Sequence, residues 1–242
     1  MLLMIPLFFL GAAGASFANC LASRMLIGQS LCCPKRSYCP TCQHPLTWWQ
    51  LIPVFGWVRQ KGRCFFCNAV ISPWSTFCEL ICGLSFIILW NSTYLTWVAS
   101  FVVFSTLTFL ATTDYQQMVI FPFSIVGLLP LLELFPWSFP HSAISIGLCS
   151  FYSIFLLALS KCRHSLGLGD CEILILIFWL TGPVIGIAVI LISSFLIIPI
   201  VIFHRKQQPF VPTIAISLIL LSDLVAIRPS LLAVVWSSAL AN

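Results

Sequence analysis

The sequence predicts an all-α fold: a polytopic membrane helix bundle of about eight spans with a small cytoplasmic zinc-binding loop module built on four cysteines. The first observation is composition, because 60% of the 242 residues are hydrophobic and only 7% are charged. Ordinary soluble domains carry roughly a quarter charged residues. The second observation is a series of long apolar runs, and the third is one polar stretch that holds two Cys-x-x-Cys pairs. This composition excludes a soluble enzyme, a disordered chain and a disulfide-rich secreted module.

The chain begins with an apolar run, residues 1–22, that has no basic residue ahead of it. A secretory signal peptide would begin with positive charge and end at a small-residue cleavage site, so we predict a retained first transmembrane helix with its N-terminus outside. Residues 23–76 contain six basic residues and five prolines, and they hold no run of the roughly 20 apolar residues that a span requires. We predict a cytoplasmic module there, between the first and second spans.

Residues 77–242 are predicted to form the rest of the bundle. Short polar or proline-containing breaks divide them into spans at about 77–91, 96–113, 119–136, 141–160, 171–181, 184–203 and 211–223. Ten of the eleven Lys and Arg residues fall within 24–63, 161–163 and 205–206. The positive-inside rule places these clusters in the cytoplasm, in agreement with the order of the spans. The net charge of +5 therefore indicates orientation in lipid, and no nucleic-acid partner is expected.

The polar stretch contains the pattern of a metal site. Cys39 and Cys42 form one Cys-x-x-Cys pair, and Cys64 and Cys67 form a second. Each such turn can place two thiolates on one tetrahedral ion, and two turns complete a closed structural zinc site. A reducing cytoplasm favours ligands over disulfides. The alternative is a metal-free loop in which other contacts hold the turns. The remaining eight cysteines lack this spacing and are expected to pack between helices.

Two acids stand out among the six in the chain. Asp114 ends one predicted span, and Asp170 begins another after Gly167-Leu168-Gly169, both at the cytoplasmic face. Acids within membrane segments are costly and are functional candidates. The two glycines let the backbone approach closely and leave space for an extended substrate beside the acid. Taken singly, Asp170 also suits a helix N-cap and Asp114 a solvated loop.

As a pair, the two acids have a specific chemistry. Two carboxylates within a few Å of each other cannot both ionise, so one holds a proton near neutral pH. The ionised member can take a proton from water while the protonated member polarises a peptide carbonyl. Because the shared proton belongs to the pair, neither residue receives a fixed role. No HExxH metal motif, GxSxG nucleophile turn or phosphate-binding loop competes with this interpretation.

Several short motifs resemble those of one family, the bacterial type IV prepilin peptidases, which are membrane aspartyl proteases with a GxGD motif. They occur in the family's order: Ala15-Ser16-Phe17-Ala18-Asn19 with Arg24, Ser37 to Cys42, Ile52-Pro53, Lys61 to Cys67, Glu79-Leu80 with Gly83, Asp114, Gly167 to Asp170, and Pro209 to Pro212. The resemblance covers nearly the full length of the chain.

The resemblance implies that the protein lies in the bacterial inner membrane and cleaves prepilins or pseudopilins on the cytoplasmic side. The cut would follow the Gly that ends a short basic leader, for pilus assembly, type II secretion or DNA uptake. Asp114 and Asp170 would be catalytic and the four cysteines would bind zinc. Many members also methylate the new N-terminus with S-adenosylmethionine, and Glu79 and Gly83 lie in the region linked to that activity.

Some positions depart from the family pattern. Ala15 replaces a Gly, Pro122 lies one place late after Asp114, Glu172 replaces a Lys after the second motif, and Trp74-Ser75-Thr76 replaces Arg-Tyr-Pro. The departures motivate one alternative, a catalytically inactive homologue that binds pilin helices. A second alternative is a membrane transporter, whose acids would be spread across the depth of the membrane. A third, a presenilin-like protease, would not explain the four-cysteine module.

Overall fold

The computed structural model describes residues 3–30, 36–135, 142–163, 167–203 and 208–227. Over these ranges the regular structure is helical, which confirms the all-α prediction. The chain forms two compact units, Met1–Trp90 and Asn91–Asn242. Some predictions lie outside the described residues, namely those for Cys32, Cys33, Lys35, Arg205, Lys206 and the tail after Pro229.

The first unit contains two long helices and the loop between them. α1 (Met4–Leu26) packs along α3 (Trp74–Ile88), and the loop carries a 3₁₀ helix (Trp48–Leu51) and the short α2 (Phe55–Arg59). The two long helices approach closely at glycines. A Cβ on Gly11 would lie 2.5 Å from the Cys82 carbonyl oxygen, and one on Gly83 would lie 2.6 Å from the Phe8 ring. Small residues at such crossings allow membrane helices to gain van der Waals contact.

Replacing Gly83 by Ala is expected to destabilise the first unit. The new Cβ would also lie 3.0 Å from the Phe8 carbonyl oxygen, which belongs to the backbone and cannot rotate away. Overpacking of this kind costs about 1–3 kcal/mol. The thermal unfolding midpoint in detergent should therefore fall for Gly83→Ala. Gly147→Ala is the matched control, because nothing lies within 4 Å of that position. Equal midpoints for the two variants would contradict close packing at Gly83.

The second unit contains the remaining helices. They are α4 (Tyr94–Gln117), a 3₁₀ helix (Pro122–Leu128), α5 (Leu131–Leu134), α6 (Ala143–Arg163), α7 (Leu168–Phe203) and α8 (Val211–Ile227). α4 ends where Met118 adopts a left-handed conformation with φ of 54°. α7 contains a non-helical residue, Gly182, with φ of 74°, directly before Pro183.

The prediction of about eight spans is not confirmed. Within the described residues, five helices are long and apolar enough to cross a membrane: Met4–Leu26, Trp74–Asn91, Tyr94–Gln117, Ala143–Lys161 and Leu168–Ile202. The predicted spans 171–181 and 184–203 both lie within α7, which consists of two helical segments joined by a kink at Gly182. The predicted span 119–136 contains no long helix, because its prolines and the 3₁₀ segment leave only the single α-helical turn Leu131–Leu134.

The segment after α4 nevertheless reverses the direction of the chain. The Phe121 and Phe123 rings lie 6.0 and 6.2 Å from the Phe109 ring, and Gly127 packs against Thr106 on the preceding turn of α4. The segment therefore runs back along α4.

The helices α6 and α7 are antiparallel as well, since Tyr152 stacks on Phe178 at 3.9 Å. The Cys171 thiol lies 3.8 Å from the carbonyl oxygen of Leu156. The end of α6 therefore lies beside the start of α7.

Candidate active site and metal-binding module

Asp114 lies on the last turn of α4 and is buried, with 5% of its surface exposed. This placement rules out a solvated loop acid, the alternative that the sequence left open. One carboxylate oxygen, Oδ2, accepts a hydrogen bond of 3.0 Å from the backbone N–H of Val211. The backbone N–H of Phe210 is also directed to this carboxylate. Asp114 is therefore held by backbone donors from another part of the chain.

Those donors lie at the start of α8, one on its first residue, Val211, and one on the residue before it, Phe210. The N-terminal N–H groups of a helix have no partner within the helix and carry partial positive charge, so they form a natural site for an anion. Pro209 and Pro212 flank the two donors and lack N–H groups themselves. Sequence analysis marked this Pro-Phe-Val-Pro segment only as a motif. Its contact with Asp114 is a tertiary one between residues 97 positions apart, which no local pattern encodes.

Asp170 is the third residue of α7 and is partly buried. Its carboxylate receives the backbone N–H of Gly167, as the acid of a capping box does. The N–H of Cys171 in turn donates to the Gly167 carbonyl oxygen at 3.2 Å. Asp170 is thus not the N-cap that the sequence allowed, although it has a local role as the third residue of the helix. The hydrogen bond from Gly167 uses only part of the hydrogen-bonding capacity of the Asp170 carboxylate, and the residue remains partly exposed.

The structure brings the ends of α4, α7 and α8 together. A Cβ on Gly169 would lie 2.6 Å from the Ile120 side chain, so the start of α7 fits closely against the segment that follows Asp114. This contact places Asp170, at the start of α7, beside the segment that follows Asp114. Among the described residues, the Asp170 carboxylate is what lies near the open side of Gly167, at 3.3 Å. The backbone at this motif is therefore accessible beside an acid.

The four cysteines of the loop form one cluster. Their Sγ atoms all lie within 4.8 Å of one another, and the pairs Cys39–Cys67 and Cys42–Cys64 are each 3.9 Å apart. Four sulfurs at 2.3 Å around a tetrahedral zinc ion would be separated by about 3.8 Å. Hydrogen bonding from the Cys42 backbone amide lowers the pKa of the Cys39 thiol to about 6, although burial opposes it. The donor set and spacing therefore fit zinc.

The two halves of the cluster have the same backbone. In the first, the Gln43 N–H donates to the Cys39 carbonyl oxygen at 2.8 Å, and in the second the Asn68 N–H donates to the Cys64 carbonyl oxygen at 3.0 Å. Gln43 and Asn68 have left-handed φ values of 56° and 58°. Every element of the second turn follows the first by 25 residues. This repeat was not predicted from the sequence. The signal that could have revealed it is that both cysteines of the second pair follow those of the first by the same number of residues.

A polar network joins the two turns. The Gln50 side chain donates to Gln60 at 3.0 Å and caps the 3₁₀ helix through the Thr47 N–H. Gly56 lies directly against the Gln50 backbone, so α2 and the 3₁₀ helix pack without an intervening side chain. Trp57 donates to the Ile71 carbonyl oxygen at 3.2 Å. These contacts fix the chain between the Cys pairs.

Glu79 connects this module to α3. Its Oε2 accepts the Val54 backbone N–H at 2.7 Å, and its Oε1 accepts the Ser75 hydroxyl at 3.2 Å. Val54 has φ of 61° and ψ of −51°, and the Phe55 N–H donates to the Pro53 carbonyl oxygen at 2.6 Å. This γ-turn is strained for a β-branched residue. One Glu79 oxygen thus holds the turn, and the other is held by Ser75 on the preceding turn of α3.

The fold and the site together define an all-α integral membrane protein. It has a four-cysteine module and two acidic residues at neighbouring helix ends. Residues 9–93 match the model of the bacterial peptidase A24 N-terminal domain. A prepilin leader peptidase/N-methyltransferase of Klebsiella pneumoniae is 30% identical over 191 residues, which cover 69% of this chain and 80% of that relative. One of Bacillus subtilis (strain 168) is 28% identical over 231 residues, 88% of this chain and 91% of the relative.

A further relative of the same name, from Myxococcus xanthus (strain DK1622), is 39% identical over 85 residues, 35% of this chain and 25% of its own length. No solved structure matches the chain. The chain belongs to the family of bacterial type IV prepilin peptidases. As the family and the apolar helices indicate, it is an inner-membrane protein.

Proposed function

We propose that this prepilin peptidase is an aspartyl endopeptidase that cleaves the short basic leader of prepilins or pseudopilins after Gly, on the cytoplasmic side. The observation that carries the proposal is the close fit between the start of α7, which bears Asp170, and the segment that follows Asp114 at the end of α4. A pair of carboxylates at one site shares a proton and can activate water while it polarises the peptide carbonyl. The backbone donors of α8 orient Asp114 for this work.

The geometry argues against two of the three alternatives, the membrane transporter and the inactive homologue. Ion-path acids would be spread through the depth of the membrane, whereas Asp114 and Asp170 lie at neighbouring helix ends. The positions that differ from the family pattern, and that suggested an inactive homologue, cause little disturbance in the structure. Glu172 is exposed, so solvent screens its charge, and Pro122 begins a 3₁₀ helix, where proline is well tolerated.

Methyl transfer to the new N-terminus, with S-adenosylmethionine as donor, is the second part of the proposal. Its support is the name of the relatives, which are prepilin leader peptidase/N-methyltransferases. Glu79 and Gly83 would serve it indirectly, because Glu79 holds the turn at Val54 and Gly83 packs against Phe8. Zinc in the four-cysteine cluster would serve as a structural ion that holds the module together.

The activity is tested on purified protein in lipid nanodiscs with a prepilin that has a Gly-Phe junction. The expected product has lost its leader, and a prepilin in which the junction Gly is replaced by Leu should stay intact. Addition of S-adenosylmethionine should increase the product mass by one methyl group. A prepilin that binds but remains intact would instead support the inactive homologue, and one that neither binds nor changes would contradict the proposed substrate.

The contact between α8 and Asp114 makes a separate prediction. Val211→Pro removes the N–H that donates to Asp114 and keeps a residue suited to the first turn of a helix. A hydrogen bond to a charged group contributes about 1.5–3 kcal/mol, so the cleavage rate should fall roughly 10- to 150-fold. Val211→Ala retains the N–H and is the matched control. If the Ala variant loses as much activity as the Pro variant, packing rather than the N–H donor is responsible.

A further inference from the structure

The module carries a continuous strip of aromatic rings on its surface. The His44 and Phe66 rings are 3.5 Å apart, Phe66 and Phe65 are 5.5 Å apart, and Phe65 meets Trp49 edge-on at 6.0 Å. Phe65 is 68% exposed and Phe66 is 48% exposed. Large apolar groups that remain exposed side by side usually mark an interaction surface.

A cation extends the strip toward α2. The Arg59 guanidinium lies 5.5 Å from the Trp49 ring centre and 6.0 Å from that of Phe55. Phe55 is 48% exposed. The six residues that form this aromatic strip are therefore His44, Trp49, Phe55, Arg59, Phe65 and Phe66. It combines flat amphipathic rings with a positive charge.

One end of the strip lies at the end of a membrane span. Phe55 directly follows Val54, whose N–H is held by Glu79 on the second turn of α3. α3 belongs to the candidate span Trp74–Asn91, and the module is joined at its other side to the candidate span Met4–Leu26. Both connections keep the module close to the plane where the spans leave the membrane.

The charge of the module suits an anionic surface. Residues 1–78 contain no Asp or Glu but six basic residues, Arg24, Lys35, Arg36, Arg59, Lys61 and Arg63. Arg59, Lys61 and Arg63 are exposed. Trp and other aromatic rings favour the headgroup region of a bilayer, and each nearby Lys or Arg adds attraction to anionic lipid. A basic peptide such as a leader would be repelled by the same charges.

We propose that the aromatic strip inserts into the headgroup layer of the anionic leaflet, with anionic lipid as its partner. The four-cysteine module then lies on the membrane surface and does not extend into the solvent. Its rings contact the acyl boundary, and its basic residues contact lipid phosphates. This inference goes beyond the peptidase activity and does not depend on it.

The test uses the full chain, with benzoylphenylalanine in place of Phe65, in nanodiscs that contain phosphatidylglycerol. Illumination should give lipid adducts at position 65, identified by mass spectrometry of the peptides. The same photoreactive residue in place of Pro40 is the matched control, because Pro40 occupies the equivalent exposed position in the first Cys turn. Adduct yield at 65 should exceed that at 40 and should fall about fivefold or more in nanodiscs of phosphatidylcholine alone.

Three results would overturn the proposal. Equal lipid labelling at 40 and 65 would show that the strip has no special contact with lipid. Adducts to residues beyond 90 would show that another part of the chain covers the strip. Adducts to prepilin, when it is added, would assign the surface to the substrate. Zinc content and membrane insertion are measured for each variant, so that an unfolded module is not mistaken for a negative result.

Discussion

Asp114→Asn and Asp170→Asn should each reduce prepilin cleavage by about 10²–10⁴-fold or more, the range associated with loss of a general acid or base. Asn retains the shape of Asp and an oxygen that can accept the same backbone N–H groups from Val211 and Gly167. The change therefore removes the ionisable proton and preserves the packing. The measurement is the mass of a Gly-Phe prepilin after co-expression with each variant, with the amount of enzyme in the membrane determined in parallel.

Glu172→Gln is the control for this experiment. Glu172 lies two residues after Asp170 on the same helix, but it is exposed. The cleavage rate of this variant should remain within a few fold of the wild type, because solvent screens an exposed charge. The Asn variants should still bind prepilin, since substrate contacts are retained. If either Asn variant cleaves at the wild-type rate, the catalytic pair has been assigned wrongly. The assignment of the chain to its family would still hold.

The class of fold could be predicted because hydropathy is a local property. Apolar runs and a shortage of charge are visible without any tertiary contact, and the all-α membrane architecture is confirmed on that basis. The four-cysteine cluster was predictable for the same reason, because each Cys-x-x-Cys turn is local and only the joining of two turns is a tertiary event. The catalytic role of Asp114 and Asp170 remains a prediction.

The predicted span count is not confirmed, and the clearest difference lies where an apolar stretch does not form a long helix. Residues 119–136 are apolar enough to suggest a helix, but Pro122 and Pro130 favour a 3₁₀ segment and a single turn. Hydropathy reports which residues prefer lipid and not which backbone they adopt. Conversely, the break at Gly182 was visible in the sequence, because a Gly-Pro pair interrupts the pattern locally.

The contacts that hold Asp114 and Glu79 could not be predicted, because they join distant stretches of chain. Asp114 accepts an N–H from Val211, and Glu79 accepts one from the strained Val54 turn. In both cases the donor is a backbone group, which every residue but proline has, so the residue type carries no signal. Only the neighbouring prolines in Pro209–Pro212 and Pro53 mark these segments as unusual.

The purified protein should contain about one zinc ion per chain, bound by the four-cysteine cluster. Either Cys64→Ser or Cys39→Ser should reduce the zinc content to a small fraction of this value. Apparent binding free energies for structural zinc are about 10–16 kcal/mol, so the loss of one of four thiolates should leave the loop unfolded. Cys20→Ser is the control, since Cys20 lies on α1 outside the cluster. Zinc is measured by elemental analysis, and unfolding by trypsin cleavage at Lys61 and Arg63.

The contacts of the module distinguish zinc from the metal-free alternative. If hydrogen bonds alone held the two turns, the network of Gln50, Gln60 and Trp57 would persist after zinc is chelated, and trypsin sensitivity would not change. This network is small and partly exposed, and the strained Val54 turn opposes it. The Lys61 and Arg63 side chains are exposed already, but hydrogen bonds hold the backbone around them. We therefore expect chelation to release this backbone for trypsin cleavage and zinc to restore protection. Metal-free protein that resists trypsin equally would show that the polar network is sufficient to hold the module without zinc.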